Sequence, residues 1–313
     1  MSPSRAKRLL TLLALLVVSF FGHAFAQKST GSRVFNISVV DLDGKPYTGL
    51  KPEDLEVWVD KTPGKIVALT TENTPVSVGI LFDLSGSFGP SGKRESVAFR
   101  RKLSDALTQF LTAGNPENEY FVGTFNTRIA FSETWTGPGP EQSILEKFDA
   151  PEHYGTTAMY DALYHAIEQV MKGRHSRRVI LLITDGLDNE SRRSFKDVAK
   201  LVKRSDVSIY AVGIYDTGYG SGYGVRQGMG VLDELTKLSG GRTVYLKTGA
   251  DPELVQNAFQ ILADNLQSQY QLTIETEAGT GREKWRKLKL KLNLPEDKNR
   301  PKLDVWSPLG FYQ

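Results

Sequence analysis

The chain has 313 residues, 40% of them hydrophobic and 24% charged, with 39 Lys and Arg against 36 Asp and Glu. These are globular proportions, and the length suits one large domain plus a small one. There is no cysteine, which excludes disulfides, thiolate metal ligands and a Cys nucleophile.

Arg5, Lys7 and Arg8 precede an apolar run from Leu9 to Phe21, and Ala24-Phe25-Ala26 follows as a small-x-small motif. This pattern predicts an export signal over 1–26, cut before Gln27. Its apolar run, roughly 13 residues, is short for a membrane span. The expected destination is therefore the periplasm or the exterior, with no span left after cleavage. Residues 1–26 hold three basic and no acidic residues, so the mature chain has 36 of each sign. Zero net charge gives no support to a nucleic-acid partner. His153, His165 and His175 lack i, i+4 spacing, so zinc hydrolase chemistry of the H-E-x-x-H kind is absent.

Residues 27–33 are polar and expected to be loose. From Val34 apolar residues alternate through Phe35, Ile37 and Val39, and Leu55, Val57 and Val59 alternate again. Ile66 to Leu69 is a third strand candidate, and Asp43-Gly44 and Pro63-Gly64 are turn signals. Thr74-Pro75 is read as a hinge, because proline restricts the residue before it to extended conformations. Val76 to Ser87, V-S-V-G-I-L-F-D-L-S-G-S, then opens on an uncharged run of the kind buried on both faces of a parallel sheet.

A helix is predicted over about Lys93 to Thr112, strands over Tyr120 to Phe125 and Arg128 to Phe131, and a helix opened by Thr156 or Thr157. The buried strand Arg178 to Thr184 follows, then a helix from Phe195 to Lys203 and a strand from Val207 to Val212. Asp216 to Gly230 reads as a glycine-rich, tyrosine-dotted loop. A helix from Val231 to Leu238, a strand from Thr243 to Leu246 and a helix from Asp251 to about Gln267 complete the alternation. Strand and helix in turn predict a mainly parallel sheet covered on both faces.

Beyond it Tyr270, Leu272 and Ile274 alternate, as do Leu288, Leu290, Leu292 and Leu294, with Lys287, Lys289 and Lys291 on the other side. The expectation is a hairpin, its lysines a solvated face opposite Glu275 and Glu277, joining the N-terminal strands in one small β-sandwich. The predicted organisation is a signal (1–26), an N-terminal β segment (27–73), an α/β domain (74–267) and a C-terminal β segment (268–313) packing on 27–73.

The candidate site lies at the end of the Val76 strand, where α/β sheets place their sites. Asp83, Ser85 and Ser87 alternate there. If the Val76 and Val179 strands are neighbours, Thr157 and Asp185 reach the same edge. Two carboxylates and three hydroxyls form an all-oxygen set that suits a hard cation such as Mg²⁺, with one position open for a partner's carboxylate.

D-L-S-G-S, Thr157 in G-T-T-A-M-Y-D-A-L and Asp185 in I-T-D-G-L-D-N resemble the three parts of the metal-ion-dependent adhesion site of von Willebrand factor type A domains. The resemblance covers about Pro75 to Gln267. The flanks V-V-D-L-D-G-K-P-Y-T-G-L, W-R-K-L-K-L-K-L and the closing G-F-Y are similar to exported acidobacterial-type relatives. The resemblance implies a doubly wound, Rossmann-like sheet binding Mg²⁺ or Mn²⁺. It further implies Ser85, Ser87 and, depending on conformation, Thr157 as direct ligands, Asp83 and Asp185 acting largely through water, and an acidic protein partner. Thr156 competes for the threonine role, and Asp188 is expected to be a loop residue or one that supports the ligands from behind.

Two other functions compete with this non-enzymatic interaction module. A phosphatase using Asp83 as nucleophile would place a second Asp two residues on, where Ser85 stands, and no G-x-S-x-G elbow supports a serine hydrolase. Self-assembly through a carboxylate of another copy is the third.

Overall fold

The computed structural model describes residues 30–71, 73–85, 94–132, 135–137, 155–216, 222–277 and 283–313, with the backbone alone for 30 and 94–97. The predicted signal over 1–26 and Ser87 lie outside the described residues.

The larger layer is built from β5 (Val76–Asp83), α1 (Arg94–Ala113), β6 (Glu119–Phe125), β7 (Ile129–Phe131), α2 (Met159–Val170) and β8 (Arg177–Thr184). It continues through α3 (Phe195–Ser205), β9 (Ser208–Tyr215), α4 (Gly222–Ser239), β10 (Thr243–Lys247) and α5 (Pro252–Gln267). The sheet order is β10-β9-β8-β5-β6-β7, with β7 the antiparallel edge. Every residue of β5 is buried, as its uninterrupted apolar run requires of a central parallel strand.

Alternate residues of each strand feed two cores. Val78, Ile80 and Phe82 pack with Leu103, Leu107 and Phe259 from α1 and α5. Leu81, Ile180 and Leu182 pack with Met159, Leu163, Val198 and Leu232 from α2, α3 and α4. Gly79 is required on that second face, because a Cβ there would overlap the ring of Phe121.

The chain ends add two four-stranded sheets, β13-β1-β11-β4 and β14-β12-β2-β3. Their strands are β1 (Thr30–Asp41), β2 (Leu55–Val59), β3 (Thr62–Pro63), β4 (Ile66–Thr71), β11 (Tyr270–Glu277), β12 (Trp285–Leu292), β13 (Leu303–Trp306) and β14 (Gly310–Tyr312). Phe35, Ile37, Leu272 and Ile274 of one sheet share a core with Leu55, Val57, Leu288 and Phe311 of the other. The α/β layer is thus inserted in a β-sandwich made from both ends, its first and last flanking strands β4 and β11 being antiparallel neighbours.

Four local expectations are corrected. Tyr270–Glu277 and Trp285–Leu292 are not a hairpin: β11 pairs with β1 and β4, whereas β12 pairs with β2 and β14. Strands that face one core from opposite sheets carry the same alternation as hairpin partners, so pattern alone could not separate them. Glu275 accordingly bonds Lys65 at 2.8 Å, not the lysine row of β12. The stretch expected to be loose is strand from Thr30, because β11 pairs with it from Thr30 to Ile37. The loop ascribed to 216–230 is helical from Gly222, and residues 217–221 lie outside the described set.

Arg177, 4% exposed, ties the two layers at their crossing. Its guanidinium donates to Thr74 O and Leu266 O at 2.6 Å and to Gln269 Oε1 at 2.7 Å, bracketing where the chain leaves and rejoins the sandwich. Burial lowers its pKa. Replacing Arg177 with Met keeps much of the volume but strands these acceptors. Urea unfolding should show a loss of about 3 kcal/mol, against near-neutral behaviour if the contacts carried no weight.

Candidate metal centre

β5 ends at Asp83, and the next N–H, of Leu84, donates to Phe125 O at 2.7 Å. The chain therefore stays stitched to β6 as it leaves the sheet. Asp83 is 2% exposed and Ser85 fully buried. The backbone N–H of Ser85 donates to Asp83 Oδ1 at 2.8 Å, a tight turn that carries Ser85 back beside the carboxyl. Thr184, the last residue of β8, donates from Oγ1 to Asp83 Oδ2 at 2.6 Å.

Burial first, and then the negative charge of Asp185, push the Asp83 carboxyl up to about 7, against the hydrogen bonds from Ser85 and Thr184. Asp185 is half-buried, and its Oδ1 accepts the Leu187 N–H at 2.9 Å. The turn beyond it needs Gly186, whose φ is +81°. It also needs Gly228 on α4, where a Cβ would overlap Asp185 O.

Thr157 is buried, at 4% exposure. Its N–H donates to Asn189 Oδ1 at 2.7 Å, and its carbonyl accepts the N–H groups of Asn189 and Glu190 at 3.0 and 3.1 Å. The following N–H, of Ala158, donates to Asn126 O at 2.9 Å. Thr157 is thus held between the end of β6 and the segment after Asp185. Neither threonine opens α2, contrary to expectation: Ala158 is its N-cap. The first-turn N–H groups are satisfied from elsewhere, Tyr160 by Asp188 Oδ2 at 2.9 Å and Asp161 by Ser191 Oγ at 3.0 Å. The cap that sequence assigns to a threonine is supplied by another segment.

Thr156 occupies a different setting. Its hydroxyl donates to Glu190 Oε2 at 2.9 Å and lies 3.0 Å from Thr127 Oγ1.

The described structure therefore brings Asp83, Ser85 and Asp185 together at the carboxyl edge of β5 and β8. It fixes Thr157 to the adjoining segments by its backbone, and Ser87 lies outside the described residues. Sequence reasoning missed Thr184 and Asn189, and Asp188, expected as a loop residue, caps α2. Thr184 was within reach: two parallel strands ending together place the residue before Asp185 opposite Asp83.

Among the described residues no three His, Cys, Asp or Glu side chains cluster. A cation here would depend on hydroxyl oxygens beside two carboxylates, which is the chemistry of Mg²⁺ or Mn²⁺ rather than of zinc. The donor set fits such an ion on one further ground. A buried carboxyl next to a second carboxylate is raised by both, and a proton or a cation relieves that cost.

Two measurements probe this geometry. In chelator-treated protein, native Asp83 holds a proton up to about pH 7, whereas its ordinary value is 3.8. Between those values the native state binds the extra proton, so the stability it contributes is full at lower pH and is lost as pH rises through about 7. The urea midpoint should fall across that window, and Asp83→Asn should flatten the fall; an unchanged slope in the variant would refute the assignment. Gly228→Ala should cost about 2 kcal/mol by pressing on the Asp185 backbone, read by thermal denaturation.

A family model, the von Willebrand factor type A domain, matches residues 77–260. A search of curated protein sequences finds no match. Among solved structures the chain is similar to the PilB minor pilin from Streptococcus sanguinis, at 15% identity over 65% of this chain and 62% of that one, with a TM-score of 0.46. It is similar to a von Willebrand factor type A protein from Catenulispora acidiphila, at 13% identity over 90% and 74%, with a TM-score of 0.46. A third is proximal thread matrix protein 1 from the mussel byssus, at 17% identity over 67% and 50%, with a TM-score of 0.49. The chain spans about six tenths of the length of the pilin structures it matches. The family model covers more than half of the residues, and the chain belongs to the von Willebrand factor type A domain family.

Proposed function

We propose that this protein is an exported, non-enzymatic interaction module. Asp83, Ser85, Ser87, Thr157 and Asp185 hold Mg²⁺ or Mn²⁺, and an Asp or Glu carboxylate of a protein partner completes the shell. The observation that carries the reading is the buried Asp83 carboxyl, raised by burial and by the charge of Asp185 and met, among the described residues, by hydroxyl and amide donors. The bound ion would neutralise the two carboxylates and supply a hard, positively charged seat for an incoming carboxylate.

The hydroxyls orient that seat, and the close packing of Gly186 on Gly228 fixes the Asp185 backbone beneath it. Both oxygens of Asp83 accept hydrogen bonds at 2.6 and 2.8 Å. A carboxylate so engaged and so buried makes a poor attacking nucleophile, which favours binding over phosphoryl transfer. Export to the periplasm or the exterior follows from the signal motif and belongs to the same proposal, as does a protein partner rather than nucleic acid.

Titration calorimetry on the chain from Gln27 should show saturable binding of one Mg²⁺ or Mn²⁺. Asp83→Ala should weaken it by at least about tenfold, the loss of a charged ligand from a site with few charges. Equal binding by the variant would remove the metal from the function. Phosphoester turnover that vanishes in Asp83→Asn would replace the module by an enzyme.

A further inference from the structure

A second site lies at the opposite end of the α/β layer, where α3 and α4 finish against the sandwich. A cleft of about 810 Å³ there has Trp58, Trp285, Leu238, Leu288 and Leu309 in its walls. Leu309 is 41% exposed, and its N–H donates to Leu238 O at 3.3 Å, so the two layers close the floor together.

Four lysines, Lys61, Lys203, Lys287 and Lys289, stand around the cleft against one acid, Asp60. That acid is already engaged: Asp60 Oδ2 pairs with Arg286 at 3.2 Å and Oδ1 accepts the Lys287 N–H at 2.8 Å. In a mature chain of balanced charge this is a concentrated positive rim over an apolar floor. It is also held in place. Lys203 Nζ lies 5.1 Å from the ring centre of Trp285, and Lys289 Nζ lies 5.9 Å from that of Trp58, both within cation–π range. Asp60 and Lys61 both adopt left-handed backbone, with φ of 48° and 74°. They form the two-residue turn between β2 and β3 without the glycine such turns favour. The turn sets Lys61 at the rim.

An adjoining cleft of about 680 Å³ shares Leu288, Lys289 and Leu309 and runs on to Trp306; Asp233 and Asp304 line it with Lys237, so the lysine surplus belongs to the first cleft and the second offers mainly the apolar run. The two together form a groove rather than a closed cavity, a shape for an extended chain.

We propose that this groove binds an acidic peptide segment with an apolar side chain between its carboxylates. The lysines would pair with the carboxylates, and Leu238, Leu288 and Leu309 would bury the apolar side chain. An acidic glycan has the right charge, but each indole already carries an ammonium over a face on which a sugar ring would stack, and the aliphatic wall offers a sugar nothing. The site is independent of the metal centre, because none of its lining residues belongs to that centre.

The test is fluorescence anisotropy of a labelled peptide, Glu-Glu-Leu-Leu-Glu-Glu, with the chain from Gln27. Saturable binding should weaken with added salt, fall at least about tenfold in the Lys287→Glu, Lys289→Glu double variant, fall likewise in Trp285→Ala, and persist in chelator. The two lysines are exposed on β12, so the double variant should fold, as circular dichroism would check. Absence of binding, equal binding by the double variant, preference for polygalacturonate, or loss in chelator would each overturn the proposal; the last would assign the peptide to the metal centre.

Discussion

The Asp83 carboxyl, buried at the end of the central strand beside the negative charge of Asp185, is the constraint around which the α/β layer is arranged. A lone buried carboxylate costs several kcal/mol. Thr184 and the Ser85 amide offset part of that cost, and near neutral pH a proton or a metal ion must supply the rest. The two donors are available only because β5 lies parallel between β6 and β8 and all three end at one edge. Gly79 admits the Phe121 ring on one face of β5, which lets the strands keep that register under tight packing.

The second layer of control is a polar seam. The segment after Asp185 caps α2 through Asp188 and Ser191, and it accepts the Thr157 N–H through Asn189. Asp161 returns the contact: although burial raises its carboxyl, the N–H groups of Arg192 and Arg193 and the Arg193 guanidinium hold it below the ordinary value. Two stretches about 30 residues apart thereby share each other's unsatisfied groups, as a helix start without its own cap must arrange.

Much of this was legible from residues. Uninterrupted apolar strands ending in Asp83 and Asp185 announced a parallel sheet with its site at the carboxyl edge, because burial on both faces leaves no room for alternation. The helical periods of α1 and α5 were equally plain. Partner choice among the outer strands was not. β11 and β12 alternate alike because each turns one face to the same core, and nothing local in Tyr270–Glu277 says that β1 and β4 flank it. The four-residue β13 and three-residue β14 are too short to carry a period at all. The first half of that helix, residues 222–230, read as a loop because its glycines lower helix propensity. Gly228 is there for the Asp185 carbonyl, a tertiary demand that overrides the local one.

The sandwich bears on the Asp83–Asp185 edge through α4. That helix meets Asp185 at Gly228 and the sandwich at Leu238 and Ser239, where Ser239 bridges Pro308. A rise of 1.5 Å per residue separates Gly228 from Leu238 by roughly 15 Å. Since Arg177 also pins both crossings of the chain, the sandwich cannot shift without disturbing the helix that packs beneath Asp185. The helix is therefore a strut of fixed length between two chemically different ends, hard and oxygen-lined at one, lysine-rimmed and apolar at the other. A single partner engaging both would have to span the height of the sheet. Two partners of the proposed kinds, one bringing a carboxylate to the Asp83 edge and one laid along the groove, would sit on the molecule together without touching.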